Sequence, residues 1–245
     1  PFAKHEVITG DVFAAYFATA VLDGDTNLVK QAYRCATRRV LGPAHPQTVS
    51  AVYVLADLLI AAERHGEARA LLEEALALGM PRFGPAHPVM LAALTRLVDV
   101  LQVFDELPRA RALLEGTLAQ LRPQLDASRP ELLRLEQSLA DLLGQLGELA
   151  AARELQARVL AVWEAAGGPR HPAALAAAAS LALIDTRSGA LARARALQER
   201  VLKDSREVRG PHDPDTLTVA RHLASTLYMM RSEEHTSELQ SRYVI

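Results

Sequence analysis

Leucine and alanine recur along this chain at a constant spacing of 42 residues. The columns that keep this register are Leu55, Leu97, Leu139, Leu181 and Leu223; Leu71, Leu113, Leu155 and Leu197; Leu76, Leu118, Leu160 and Leu202; and Ala68, Ala110, Ala152 and Ala194. Within each period the apolar positions form two stretches of helical periodicity. Alanine suits positions where two helices cross closely. The pattern therefore predicts an all-α chain of repeated, antiparallel helix hairpins.

Prolines with the same period separate the repeats. The linkers 42–46, 84–88 and 168–172 read Gly-Pro-x-His-Pro, the linker 210–214 reads Gly-Pro-His-Asp-Pro, and the linker 126–130 has lost its glycine and first proline. Glycine can end a helix in the left-handed conformation, and a proline just beyond it prevents continuation. The second proline fits the first position of the next helix. In the first full repeat, this predicts one helix from Pro46 to Ala62 and another from Glu67 to Leu78.

The linkers also define the domain organisation. Repeats begin near residues 42, 84, 126 and 168, and a truncated repeat begins near 210. Residues 11–22 and 27–40 have the pattern of another helix pair, so we interpret 1–41 as a degenerate repeat. Together these segments predict a single array over residues 1–230.

The Gly-Pro-x-His-Pro linker, the 42-residue period and the Leu-Ala pairs at 55–56, 139–140, 181–182 and 223–224 resemble the kinesin light chain type of tetratricopeptide repeat (TPR). The resemblance implies an α-α superhelix, or TPR solenoid, whose concave groove is lined by the first helix of each repeat and receives extended peptides or partner segments. In bacteria such arrays commonly belong to larger regulatory proteins, and the richness in Ala, Leu and Arg is typical of a GC-rich bacterial genome, so we interpret the chain as a bacterial fragment. The family's asparagine before the Leu-Ala pair is absent here, and the corresponding pairs are Tyr53-Val54, Thr95-Arg96, Gln137-Ser138, Ala179-Ser180 and Arg221-His222.

Residues 231–245 depart from the repeat. The pattern stops at Arg231, where the fifth repeat should turn into its second helix. Residues 231–241 match the conceptual translation of a common sequencing adapter, so we expect the tail 231–245 not to be native. We therefore expect it to pack little and to leave Leu217, Leu223 and Leu227 partly uncovered.

Composition and charge narrow the function. The net charge is −2 with both signs interspersed, which argues against a nucleic acid partner. The longest strongly apolar run, 173–184, is too short to span a membrane, and no secretory leader pattern opens the chain. A single cysteine, Cys35, excludes an internal disulfide framework and fits the cytoplasm. We therefore expect a cytoplasmic protein whose partner is another protein or a peptide.

The linker histidines His45, His87 and His171 invite a metal or acid-base role. Equivalent residues of successive repeats, however, are separated by two helix diameters, about 16 to 20 Å, whereas zinc ligands lie about 2 Å from one ion. We expect these histidines to cap helices or pack in the linkers. Since the sequence contains neither a phosphate-binding glycine loop nor a catalytic motif, it predicts no enzyme and no cofactor.

One acidic column stands out on the first helices, two residues after the shared leucine: Asp57, Asp99 and Asp141. If this face lines the groove, three carboxylates at the spacing of the repeat would favour a partner that carries Lys or Arg. Ordinary solvated aspartates remain the alternative. The full set of candidate partner-binding residues is Tyr53, Asp57, Thr95, Arg96, Asp99, Gln137, Asp141, Gln145, Arg221 and His222.

Two functions remain open at this stage. The first is a scaffold that binds a peptide or partner segment in its groove. The second is a structural or sensor arm of a larger bacterial regulatory protein, with a kinase or nucleotide-binding module elsewhere in that protein and no independent ligand.

Overall fold

The computed structural model describes residues 46–243, and the regular secondary structure of this range is α-helical. Nine helices are described: α1 (Pro46–Ala61), α2 (His65–Phe83), α3 (Pro88–Val103), α4 (Leu107–Leu121), α5 (Pro130–Gln145), α6 (Leu149–Gly167), α7 (Pro172–Arg187), α8 (Leu191–Val208) and α9 (Pro214–Tyr243). The degenerate repeat predicted for 1–41, together with Cys35 and His45, lies outside the described residues. No helix in the described range has both the length and the apolar character needed to cross a bilayer.

The chain divides into two compact units between Gln124 and Leu125, directly before the linker that lost its glycine and first proline. In the described part of the first unit, α1 to α4 pack in sequence order, and α1 also contacts α3. In the second unit, α5 to α9 do the same, and α7 contacts both α5 and α9. Each of α1, α3, α5 and α7 is therefore the first helix of a hairpin, and every odd-numbered helix also touches the first helix of a neighbouring repeat in its own unit. The predicted all-α architecture of helix hairpins is confirmed.

In the first full repeat, the turn inside the hairpin lies slightly before the predicted one. Glu63, Asp105, Gly147 and Gly189 share a register position and have φ angles of 58°, 58°, 83° and 76°. Helix α2 consequently begins at His65 rather than Glu67, and it continues to Phe83 rather than ending at Leu78. The left-handed conformation costs a residue with a Cβ roughly 1–2 kcal/mol, so the turns at Glu63 and Asp105 are strained relative to the two that use glycine.

The buried columns follow the predicted register with one correction. The alanine column is fully buried, as are the columns that begin at Leu55 and Leu76 within the first four described repeats. The column of Leu71, Leu113, Leu155 and Leu197 is only half-buried. The buried position is the next one along, which holds Leu72, Leu114, Gln156 and Gln198. It lies four residues after the buried alanine, and i,i+4 residues share a helix face.

Helix α9 does not end where the repeat pattern stops. The first helices of the other described repeats are 16 residues long, whereas α9 continues from Pro214 to Tyr243. Within the described residues, no second helix follows α9 and packs onto it, and apolar side chains remain uncovered. Leu217 is 54% exposed and Leu227 39%, whereas Leu175, at the register position of Leu217, is 3% exposed. Leu223 is partly buried. The prediction that these three leucines are partly uncovered is confirmed.

Candidate functional site

The linker histidines of the described repeats are helix caps. His87 Nδ1 accepts a hydrogen bond from the backbone N–H of Val89 at 3.3 Å, and His171 Nδ1 accepts one from Ala173 at 3.2 Å. The His171 ring also stacks on Trp163, with a centroid distance of 5.6 Å. In the last linker Asp213 replaces histidine, and its carboxylate accepts from two backbone N–H groups. Capping is thus the observed role of His87 and His171, and a search of the described residues finds no cluster of three metal-ligating side chains.

Arginines of the second helices are largely held in ion pairs. Arg111 and Arg195 pair with glutamates one turn later on their own helices, at 2.8 Å in each case. Arg69 pairs with Glu73 at 3.0 Å and with Glu106 at 2.5 Å. Arg153 instead reaches the buried Asp185 on α7, at 2.9 Å. Because each guanidinium already has a carboxylate, this column is a poor candidate for a partner site.

In the first unit, the candidate residues converge on Arg96 of α3. Its Nε lies 2.7 Å from Oδ1 of Asp57 on α1, and its Nη1 lies 3.5 Å from Oδ2 of Asp99, one turn further along α3. The guanidinium also donates a hydrogen bond to the Tyr53 side chain, which raises the pKa of Arg96. The hydroxyl of Thr95 donates to the carbonyl of Leu91 on its own helix, at 2.9 Å. Two of the three predicted groove carboxylates are therefore already paired with a cation of the chain itself.

The second unit contains a trough on the equivalent face of its first helices. The trough has a volume of about 250 Å³. Its lining on α7 consists of Leu175, Ala176, Ala179, Ser180 and Leu183. The lining is completed by Gln137 on α5, by residues in the C-terminal half of α8, and by Thr218, Val219 and His222 on α9. Three of the five lining residues on α7 have short side chains, namely Ala176, Ala179 and Ser180.

Asp141 lies beside this trough in surroundings that differ from those of Asp57 and Asp99. It is half-buried on α5, and its carboxylate accepts a hydrogen bond from Ser180, which lines the trough. Burial raises the pKa of Asp141 to about 6, although the Ser180 hydroxyl and the charge of Arg187 oppose this effect. Burial, and to a smaller extent Arg221, lower the pKa of His222 on the far side. The acidic column is therefore not a row of three equivalent carboxylates.

The structure brings together some of the predicted residues of the second unit and not others. Gln137 and His222 both line the trough, whereas Gln145 and Arg221 are exposed and do not line it. The candidate set did not include Ala179 and Ser180, although they stand at the register positions of Gln137-Ser138 and Arg221-His222. The register alone could have identified them.

An ion pair at the last linker forms part of the trough's boundary. Arg209, at the end of α8, forms an ion pair with Asp215 on the first turn of α9, and its Nη2 donates to the carbonyl of Pro172 at 3.4 Å. Both ionic partners line the trough. Since they are already paired with each other, the boundary that they form is close to neutral.

Comparison with known proteins identifies the fold. The family model of the tetratricopeptide repeat matches residues 135–204. A Podosopora anserina structure described as a kinesin light chain with nearly identical TPR-like repeats aligns at 24% identity with a TM-score of 0.67, covering 81% of this chain and 93% of its own. BtubC from P. vanneervenii aligns at 16% identity with a TM-score of 0.63, covering 95% of this chain and 94% of its own.

A third similar structure contains a bound factor. A Rap protein complexed with competence and sporulation factor aligns at 14% identity with a TM-score of 0.59, covering 95% of this chain and 68% of its own. A search of curated protein sequences finds no match. At these identities the structural likenesses establish the fold alone. The predicted resemblance to kinesin light chain-like TPR proteins is confirmed at that level.

Proposed function

We propose that this chain is a protein-binding scaffold, and that an extended segment of a partner lies along the first helices and fills the trough of the second unit. The observation that carries the proposal is the trough itself, whose apolar and small side chains on α7 lie between polar side chains of α5 and α9. A concave apolar surface with a few polar groups at its edges is the usual form of a binding site. No cofactor or catalytic step is part of this function.

The composition of the trough favours a segment of chain over a small metabolite. Its volume, about 250 Å³, is below the roughly 300–1,000 Å³ of typical small-molecule pockets. The lining offers single hydrogen-bonding groups on separate helices, which suits the spaced polar atoms of an extended peptide. The Rap protein complexed with competence and sporulation factor shares this fold, so a bound factor is compatible with the architecture.

Selection from a displayed library of random 12-residue peptides tests the proposal. The immobilised protein should enrich a set of related peptides, and Ala176→Trp should reduce their binding at least tenfold because the indole would fill the trough. Ala196→Trp is the matched control, since Ala196 is an exposed alanine on α8 that does not line the trough.

The outcomes separate this function from the structural arm considered above. Enriched peptides whose binding Ala176→Trp blocks and Ala196→Trp preserves would support a scaffold that uses the trough. Selection that enriches nothing above background would refute the scaffold and leave an arm without an independent ligand. Equal loss of binding in both variants would remove the trough from the site.

A further inference from the structure

Equivalent aspartates of the two units have different partners on the next first helix. Asp57 and Asp141 share a register position on the first helix of their repeats, and the residue 39 positions later faces each of them from the next first helix. In the first unit that residue is Arg96, which pairs with Asp57 at 2.7 Å. In the second unit it is Ser180, which gives Asp141 a single neutral hydrogen bond.

Asp141 therefore lacks the cation that its counterpart has. In the described part of the chain, no ion pair joins Asp141 to a basic group within 4 Å. A half-buried carboxylate without an ion pair loses hydration that one hydrogen bond only partly replaces. Its raised pKa is the expected consequence, because burial disfavours the charged form.

Ser180 is also much shorter than Arg96, the residue that faces the equivalent aspartate in the first unit. Ser180 lines the trough and contacts Asp141, so the position that Arg96 fills in the first unit corresponds to the edge of a cavity in the second. Asp141 is not itself a lining residue, and the Ser180 side chain lies between its carboxylate and the trough. The trough and the carboxylate without an ion pair are therefore next to each other.

We propose that the trough receives a lysine or arginine side chain of the bound segment, and that its cation pairs with Asp141 as Arg96 pairs with Asp57. This inference rests on the proposed function and specifies the chemistry of the partner. It also restricts the three-carboxylate prediction to one residue, because Asp57 and Asp99 already pair with Arg96.

Basic groups on the same face limit how many cations the partner can carry. Arg187 on α7 acts on Asp141 through space, and its effect is smaller than those of burial and of the Ser180 hydrogen bond. His222 on α9 lines the opposite side, and the exposed Arg221 lies next to it in sequence. Charges on exposed groups are screened over about 8 to 10 Å at physiological salt. One buried pair at Asp141, flanked by neutral residues of the partner, therefore fits this face better than a run of basic residues.

Three short peptides test the pairing. The probes are acetyl-Gly-Ala-X-Ala-Gly-amide with X as arginine, citrulline or glutamate, since citrulline keeps the shape of arginine and lacks its charge. Carboxyl-carbon NMR of the full chain follows the Asp141 resonance during each titration. We expect the arginine peptide to shift this resonance and lower the pKa of Asp141, and to bind at least tenfold more tightly than the other two.

Two variants and one control complete the experiment. Asp141→Asn should abolish the preference for the arginine peptide, whereas the control Asp57→Asn should preserve it because Arg96 already pairs with Asp57. Ser180→Arg should reproduce the arrangement of the first unit, lower the pKa of Asp141 without peptide and prevent the arginine peptide from binding. Circular dichroism of each variant would establish that it folds.

Several results would overturn the inference. Equal binding of the arginine and citrulline peptides, no shift at Asp141 with any peptide, or unchanged preference in Asp141→Asn would each do so. Library-selected peptides whose binding is lost in Ala176→Trp but that need no lysine or arginine would also overturn the inference. They would leave the proposed function intact. The two hypotheses therefore fail on different results.

Discussion

Gln156 is the residue whose replacement tests the packing argument most directly. It is fully buried on α6, at the register position that holds Leu72 and Leu114 in the first unit. Its Nε2 donates to the carbonyl of Ala177 on α7 at 2.9 Å, and its Oε1 has no hydrogen-bond partner. The side chain thus makes one buried hydrogen bond and leaves one buried acceptor unsatisfied. We predict that Gln156→Leu stabilises the second unit.

The expected gain follows from three opposing contributions. Removing an unsatisfied buried acceptor relieves about 1–3 kcal/mol, and losing the bond to Ala177 costs about 0.5–1.5 kcal/mol. Added apolar burial contributes roughly 1 kcal/mol, less than a full leucine side chain because most of the glutamine stem is already buried. Leucine already occupies this register position in the first unit, so little strain is expected. The net gain should be about 1–3 kcal/mol.

Urea unfolding measures the effect in the appropriate unit. Trp163 is the only tryptophan of the chain and is buried on α6 with Gln156, so its fluorescence reports the second unit, and circular dichroism reports all helices. The matched control is Glu154→Leu, an exposed position on the same helix, which should change stability by less than about 0.5 kcal/mol. A loss of stability in Gln156→Leu would refute the reasoning, because it would show that the amide contributes more than its observed contacts explain.

Three further predictions follow from the described contacts. Leu114→Ala should cost about 3–5 kcal/mol because Leu114 is fully buried, whereas Leu113→Ala should cost about 1–2 kcal/mol because Leu113 is half-buried, as compared by thermal melts. Glu63→Gly should stabilise the first unit by about 0.5–1 kcal/mol, because glycine adopts the φ of 58° without strain and this relief outweighs its greater loss of conformational entropy on folding. A lower midpoint of unfolding would contradict this. Asp141→Asn should stabilise the second unit by roughly 1–2 kcal/mol at pH 7.5 but not at pH 4. The folded-state pKa of about 6 lies above that of an unfolded aspartate, so the parent retains its proton up to pH 6 and loses stability as the pH rises through 4 to 6; equal gains at both pH values would refute this.

The sequence by itself determined the repeat and its boundaries. Glycine, proline and histidine act on the backbone within a few residues, so the linkers could be read locally, and His87 and His171 cap the helices that follow them. The alanine column was equally readable, because every copy is alanine and all four are buried. Helical periodicity placed the leucine column of Leu71 one residue away from the buried position. The reason is that Gln156 and Gln198 interrupt the apolar pattern at the true column.

Only the tertiary structure decided which polar residues are available to a partner. Asp57, Asp99 and Asp141 are identical in type and register, yet two of them pair with Arg96 and the third is buried beside Ser180. For Asp57 and Asp141 the difference depends on the residue that stands 39 positions later, on a helix that meets the first one only after the chain has folded. Burial, ion pairing and the space left by small side chains are properties of two or three helices together. A pattern along one helix specifies its own faces, but it does not contain the charge or the volume of what will lie opposite.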